Sequence, residues 1–187
     1  MNNEEFVKNY LNDTIAIADS IRQKDITNAI SILQDTKDKE GRLFILGVGG
    51  SAANASHAVN DFRKLGGMEA YAPTDNVAEI TARTNDEGWN TVFEEYLKTS
   101  RIGHKDVLMV FSVGGGSATT SNNLVNAMNY AKSKGTKIIS IVSRDGGHAK
   151  KISDVCIYIP VLNEILITPH AEGWQGILWH LIVNGIS

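Results

Sequence analysis

The chain has 187 residues, 42% hydrophobic and 21% charged, enough for one domain with a substantial core and too short for two. With 18 Lys and Arg against 21 Asp and Glu, the formal charge is -3, and no block of like charge forms the positive surface that non-specific nucleic-acid binding needs. No run reaches the roughly 18 to 20 apolar residues of a membrane span, the N-terminal MNNEEF lacks the basic and apolar regions of a secretory signal, and Cys156 is the single cysteine. A cytoplasmic chain with no nucleic-acid and no membrane partner is expected.

Phe6, Tyr10, Leu11, Ile15, Ala18 and Ile21 recur at helical spacing, and Ile26, Ala29, Ile30 and Leu33 repeat the pattern. Two helices within residues 1–40 therefore precede the first strand. That strand is RLFILGVGG, an apolar run ending in glycines, followed by the helical segment SAANASHAVNDFRKL. Between Gly66 and Thr91 the pattern is irregular, with YAPTDN as a possible short edge strand. TVFEEYLKTS is read as a helix, DVLMVFSVGGG as a second strand with a glycine turn, and NNLVNAMNYAKSKG as the helix after it. TKIISIVS and DVCIYIP add two strands around the short helix of DGGHAKKIS, and HAEGWQGILWHLIVNG closes the chain as a helix. Near-continuous apolar strands belong to a parallel sheet covered on both faces. The fold class is thus α/β, a doubly wound parallel sheet flanked by helices, in one domain over residues 1–187.

Ligands of such sheets bind beyond the carboxyl ends of the strands, where LGVGGS and FSVGGGS lie. In the first loop Gly47, Gly49 and Gly50 let the backbone turn closely and Ser51 falls at the start of a helix, where free amides and a hydroxyl can hold an oxyanion. In the second, Ser112, Ser117, Thr119 and Thr120 offer hydroxyls beside three glycines. Either loop alone also fits a plain tight turn with a helix cap. Ala52 breaks the GxGxxG pattern of a dinucleotide site and no GKS or GKT is present, so a phosphosugar explains the hydroxyls better.

LFILGVGGSAANASHAVND, FSVGGGS, ISIVSRDGG and SDVCIYIP together resemble the sugar isomerase (SIS) domain, over essentially the whole chain. The resemblance is closest to the D-sedoheptulose 7-phosphate isomerases, also called phosphoheptose isomerases, with a nonenzymatic relative that binds the replication initiator. It implies a flavodoxin-like sheet, an aldose-ketose isomerase acting through an enediol, a role in bacterial surface heptose synthesis, and a homotetramer in which the leading helices pack between subunits. Ser51, Ser112 and Ser117 match the family's phosphate-binding serines. The usual STSGNS loop here reads SVGGGS, which removes one hydroxyl at Gly114 and leaves Thr119, Thr120 or Ser121 to replace it. Isomerisation of a different ketose phosphate, or the initiator-binding role, are the alternative readings.

His57 and Asp61, four residues apart, share a helix face; Glu172 and His180, eight apart on the last helix, lie about 80° from each other. Two imidazoles and two carboxylates form a ligand set for Zn2+ or a similar divalent ion, although spacing alone also fits pairs that satisfy a surface or core. The resemblance places all four at the substrate. His57 and His180 match the family's histidines, while Asp61 stands where relatives carry glutamate and Glu172 where they carry glutamine. Asp61 and His180 are the candidates for proton transfer. Asn54, Glu172 and Asp86 are candidates for substrate contacts, Asn54 having the alternative of capping or facing solvent and Asn85-Asp86 that of starting the helix near Asn90.

Overall fold

The computed structural model describes residues 2–186. Two helices, α1 (Asn3–Ser20) and α2 (Gln23–Asp38), lead into β1 (Arg42–Leu46) and α3 (Gly50–Lys64). β2 (Glu69–Tyr71), α4 (Val77–Asp86) and α5 (Val92–Thr99) follow, then β3 (Val107–Ser112), α6 (Asn122–Ser133), β4 (Lys137–Val142), α7 (Gly147–Ile152), β5 (Val155–Tyr158) and α8 (Ile167–Asn184). The strands form one sheet in the order β2-β1-β3-β4-β5, with every pairing parallel.

Alternate side chains of the same strand feed two cores. Val107, Met109 and Phe111 of β3 join the apolar layer with α2, α3 and α8. Leu108 and Val110 face α5, α6 and α7. All six residues of β3 are buried, which is why its sequence is an unbroken apolar run rather than an alternation. β1 connects through α3 to β2 on one side while β3 pairs on its other side, so the chain reverses between β1 and β3. Their carboxyl ends open the crevice where a ligand fits. No helix of the described residues is long and apolar enough to cross a membrane.

The region from Gly66 to Thr91 departs most from the expectation. The edge strand is Glu69–Tyr71, just ahead of the expected YAPTDN, and Pro73–Asp75 forms a 3-10 turn. Proline has no N–H to give a ladder, so the strand ends before it. α4 was hidden from periodicity because none of its residues is buried; it is started instead by Asn76, whose side chain accepts the Glu79 amide. Asp86 therefore ends a helix and does not begin one. α8 starts at Ile167, ahead of the expected His170, with Pro169 in its first turn, where the missing N–H costs nothing.

α2 buries Ile26, Ala29 and Leu33 as its spacing requires. α1 differs: Ile17 is its one buried residue, while Phe6, Val7, Leu11 and Ile15 stay between 42% and 61% exposed. Tyr10 ties this helix to α8 by stacking on the buried His170, ring centroids 4.4 Å apart.

Candidate functional site

Gly47 must be glycine, because a Cβ there would lie 2.2 Å from the Ser51 carbonyl oxygen. That tightness turns the chain from β1 into α3, whose N-terminus has no side-chain cap. Ser51, in the first turn, is 2% exposed. After β3, the Ser112 hydroxyl accepts the Gly115 amide at 3.0 Å, and the Ser117 hydroxyl accepts the amides of Thr120 at 3.0 Å and Thr119 at 3.3 Å. Both serines therefore shape the loop and keep a proton to donate. Amides of His148 and Ala149 bond to Gly116 and Gly115, docking this loop on the turn after β4.

These segments enclose a cavity of about 390 Å³ lined by Ser51, Ser112, Ser117, Thr120, Ser121 and Arg144, among others. The three serines expected to hold phosphate thus meet at one place. Thr119 does not line it, and its neighbours Thr120 and Ser121 do.

From this cavity α3 and α8 run side by side in the same direction. Asn54 donates to the Glu172 carbonyl and to Gln175 Oε1, both at 2.9 Å, so it clamps the N-terminal halves of the two helices together. Farther along, Asp61 Oδ2 lies 3.3 Å from His180 Nε2 and 3.7 Å from His57 Nε2. Trp179 Nε1 donates to the same oxygen at 3.1 Å. The His180 ring is fixed by Nδ1, which meets the Gly176 carbonyl at 2.7 Å; a carbonyl only accepts, so Nδ1 carries the hydrogen, and in the neutral ring the lone pair is at Nε2. Asp61 is 7% exposed, and its carboxylate faces these two imidazoles.

One donor atom from each of His57, Asp61 and His180 lies within 4.8 Å of the others. Donors of a tetrahedral Zn2+ site stand roughly 3.3 Å apart, by bond lengths near 2.0 to 2.1 Å. The group therefore fits a divalent cation after small side-chain shifts, and both imidazoles are open to solvent. Glu172 is not part of it. Its carboxylate packs over Gly50, where a Cβ would meet Oε2 at 2.5 Å, at the positive end of α3 beside Ser51. Eight residues of α8 span about 12 Å, which separates Glu172 from His180 along the helix. Asp86 sits at the exposed end of α4, accepting from Asn85 Nδ2 at 2.8 Å, and lines neither the cavity nor the histidine group.

Residues 9–143 match the SIS domain. The chain belongs to the SIS domain family. It is 30% identical over 171 residues to the phosphoheptose isomerase of Helicobacter pylori strain P12, covering 88% of this chain and 84% of that protein. The phosphoheptose isomerase of Akkermansia muciniphila is 31% identical over 167 residues, covering 83% of this chain and 84% of that one. Among solved structures, phosphoheptose isomerase GmhA from Neisseria gonorrhoeae superposes with a TM-score of 0.86 at 24% identity, over 99% of this chain and 98% of that one. That last likeness bears on the fold.

Two side chains of this SIS domain site escaped the sequence reading. Trp179 reads as a core aromatic, and it is 3% exposed, yet its indole N–H holds Asp61 from 118 positions away. No local pattern carries such a pairing. Arg144 lay within the quoted ISIVSRDGG, and the available signal was a cation in the turn directly after a strand's carboxyl end.

Proposed function

We propose that this SIS domain protein is an aldose-ketose isomerase of a sugar phosphate, with sedoheptulose 7-phosphate converted to D-glycero-D-manno-heptose 7-phosphate. One observation carries the reading: α3 runs from the hydroxyl-lined cavity, which it enters with Ser51, to the metal-binding group, to which it gives His57 and Asp61 while α8 gives His180. Six residues from Ser51 to His57 rise about 9 Å, a separation suited to an extended sugar whose phosphate is held at one end and whose carbonyl reacts at the other. The phosphoheptose isomerases among its relatives support the substrate class.

In this reading Ser51, Ser112, Ser117 and Thr120 anchor the phosphate, and Asn54 and Glu172 flank the sugar between the two ends. An enediol route needs a group that takes a proton from the carbon beside the carbonyl and returns it to its neighbour. A lone pair cannot hold a metal ion and a proton together, so the roles divide. His180 Nε2 moves the proton; its ring is held by Gly176, and the charge formed on it faces Asp61. His57 and Asp61 would hold Zn2+, with Trp179 orienting the carboxylate. When bound, the ion supplies polarisation of the substrate oxygens.

Zinc-replete protein is expected to turn over sedoheptulose 7-phosphate faster than fructose 6-phosphate or ribulose 5-phosphate in a coupled assay of aldose formation. A faster rate on another ketose phosphate would keep the reaction and replace the substrate, an outcome favoured by the hydroxyl absent at Gly114. No turnover on any of them would remove the isomerase reading.

We further propose one SIS domain over residues 1–187 that works in the cytoplasm as a homotetramer, with residues 1–40 between subunits. The apolar face of Phe6, Val7, Leu11 and Ile15 supports this, since water is a poor neighbour for four such side chains on one helix. Sedimentation should give four copies per particle, and a monomer at micromolar concentration would contradict it.

A further inference from the structure

The cavity's hydroxyls are neutral, yet a phosphate monoester brings up to two negative charges. Arg144 is the one cationic side chain among the residues lining the cavity. It forms no ion pair among the described residues, and Asp145, also at the cavity, is engaged through Oδ1 by the Gly147 amide at 3.0 Å. Its side chain runs past the loop after β3, with Cδ 3.6 Å from where a Cβ of Gly114 would stand. Gly114 contributes no side chain of its own, so this wall of the cavity is left to the guanidinium.

The main chain at this position is held firmly. Arg144 has φ of 53°, a left-handed conformation that glycine takes readily and a long side chain does not. The strained residue is pinned on every side. Its carbonyl accepts the Tyr158 hydroxyl, the Gly146 amide closes the turn on Ser143, and the Ser143 amide bonds to Val113 of the loop after β3. Glycine would fit the turn with less strain, but Glu40, Arg101 and Ser121 take the same conformation, so what distinguishes Arg144 is its cationic side chain at the cavity.

We propose that Arg144 is the charge-bearing residue of the anion site, pairing its guanidinium with the phosphate oxygens and making the cavity select phosphate monoesters over uncharged sugars. The inference rests on the reading of the cavity as the phosphate end of the substrate site. A planar fork with two parallel N–H donors suits phosphate oxygens better than a lysine ammonium does.

The test uses inorganic phosphate as the probe, titrated calorimetrically into the full chain, and requires no turnover. Arg144→Gly removes the guanidinium and relieves the positive φ, so it should melt at or above the wild-type temperature while binding phosphate about 10- to 100-fold more weakly. Arg144→Lys should fall between the two, and with substrate the KM of either variant should rise more than kcat falls. Wild-type phosphate affinity in Arg144→Gly would overturn the proposal. A lowered melting temperature with phosphate binding intact in the folded fraction would also overturn it, leaving Arg144 a structural role. Arg144-dependent phosphate binding in a protein without isomerase activity would uphold it while removing the isomerase reading.

Discussion

His180→Asn is expected to lower turnover of the sugar phosphate by about 10²- to 10⁴-fold, the usual contribution of a positioned acid-base group, with KM for the substrate changed far less. The phosphate end of the site, at Ser51, Ser112 and Ser117, lies away from this ring and is left intact. Asparagine keeps polarity at the surface of α8 but has no nitrogen lone pair to accept a proton. Because His180 is exposed, the fold loses little by the change, and a normal melting curve is expected. Bound zinc separates the two roles of the cluster: His180→Asn should retain it and His57→Ala should lose it. Loss of zinc in both variants would make His180 a ligand and move proton transfer to another group. Unchanged turnover in His180→Asn would remove the histidine from the chemistry.

Gly115→Ala should be among the most damaging single methyl additions in the chain. Gly115 has φ of 71°, and a Cβ there would stand 2.0 Å from the Gly146 carbonyl oxygen and 3.1 Å from the Gly147 amide nitrogen. Neither is the far end of a flexible side chain. Both belong to the turn after β4 that also carries Arg144, so relief requires the two loops to part. Backbone strain of 1 to 3 kcal/mol and a forced displacement combine to about 3 kcal/mol or more. For a chain of this size that corresponds to a fall in Tm of roughly 6 to 12 °C. The cavity should suffer with the fold, since the loop holding Ser112 and Ser117 is displaced by the same methyl group. A melting temperature within about 1 °C of wild type would show that the loops are looser than this packing implies.

Much of the architecture could be read from the residues because its central strands are buried on both faces. RLFIL, VLMVFS and KIISIV admit hardly any polar side chain, and such runs specify a covered parallel sheet. α4 left no such trace, as a helix that buries nothing has no apolar period to display. α1 had the period, yet its stripe faces outward in the single chain, so hydrophobic spacing identified the helix without identifying what covers it.

The site divides along similar lines. Ser112 ends β3, and Ser51 and Ser117 lie five residues past the ends of β1 and β3, so the sheet itself brings them together, and local sequence reveals them. His57 and Asp61 share a helix face by simple spacing. His180 joins them only through the packing of α3 on α8, which the family resemblance anticipated and spacing did not. Glu172 shows the limit of that reasoning. One helix turn of rise is about 5.4 Å, and two turns carry its carboxylate to Gly50, away from the histidines, despite a favourable angle around the helix. Trp179 was invisible as a partner of Asp61 because a buried tryptophan needs no further explanation from sequence. Arg144 was legible as a residue but not as a wall of the cavity, which exists only once the loops after β3 and β4 are docked.

The most direct test of the central claim is incubation of zinc-replete protein with sedoheptulose 7-phosphate in deuterium oxide, with the product followed by NMR. An enediol isomerase exchanges protons with its acid-base group, so the aldose should appear with solvent deuterium at C2. Recovery of unchanged sedoheptulose 7-phosphate, with no aldose and no deuterium on carbon, would contradict the assignment of this substrate to the site.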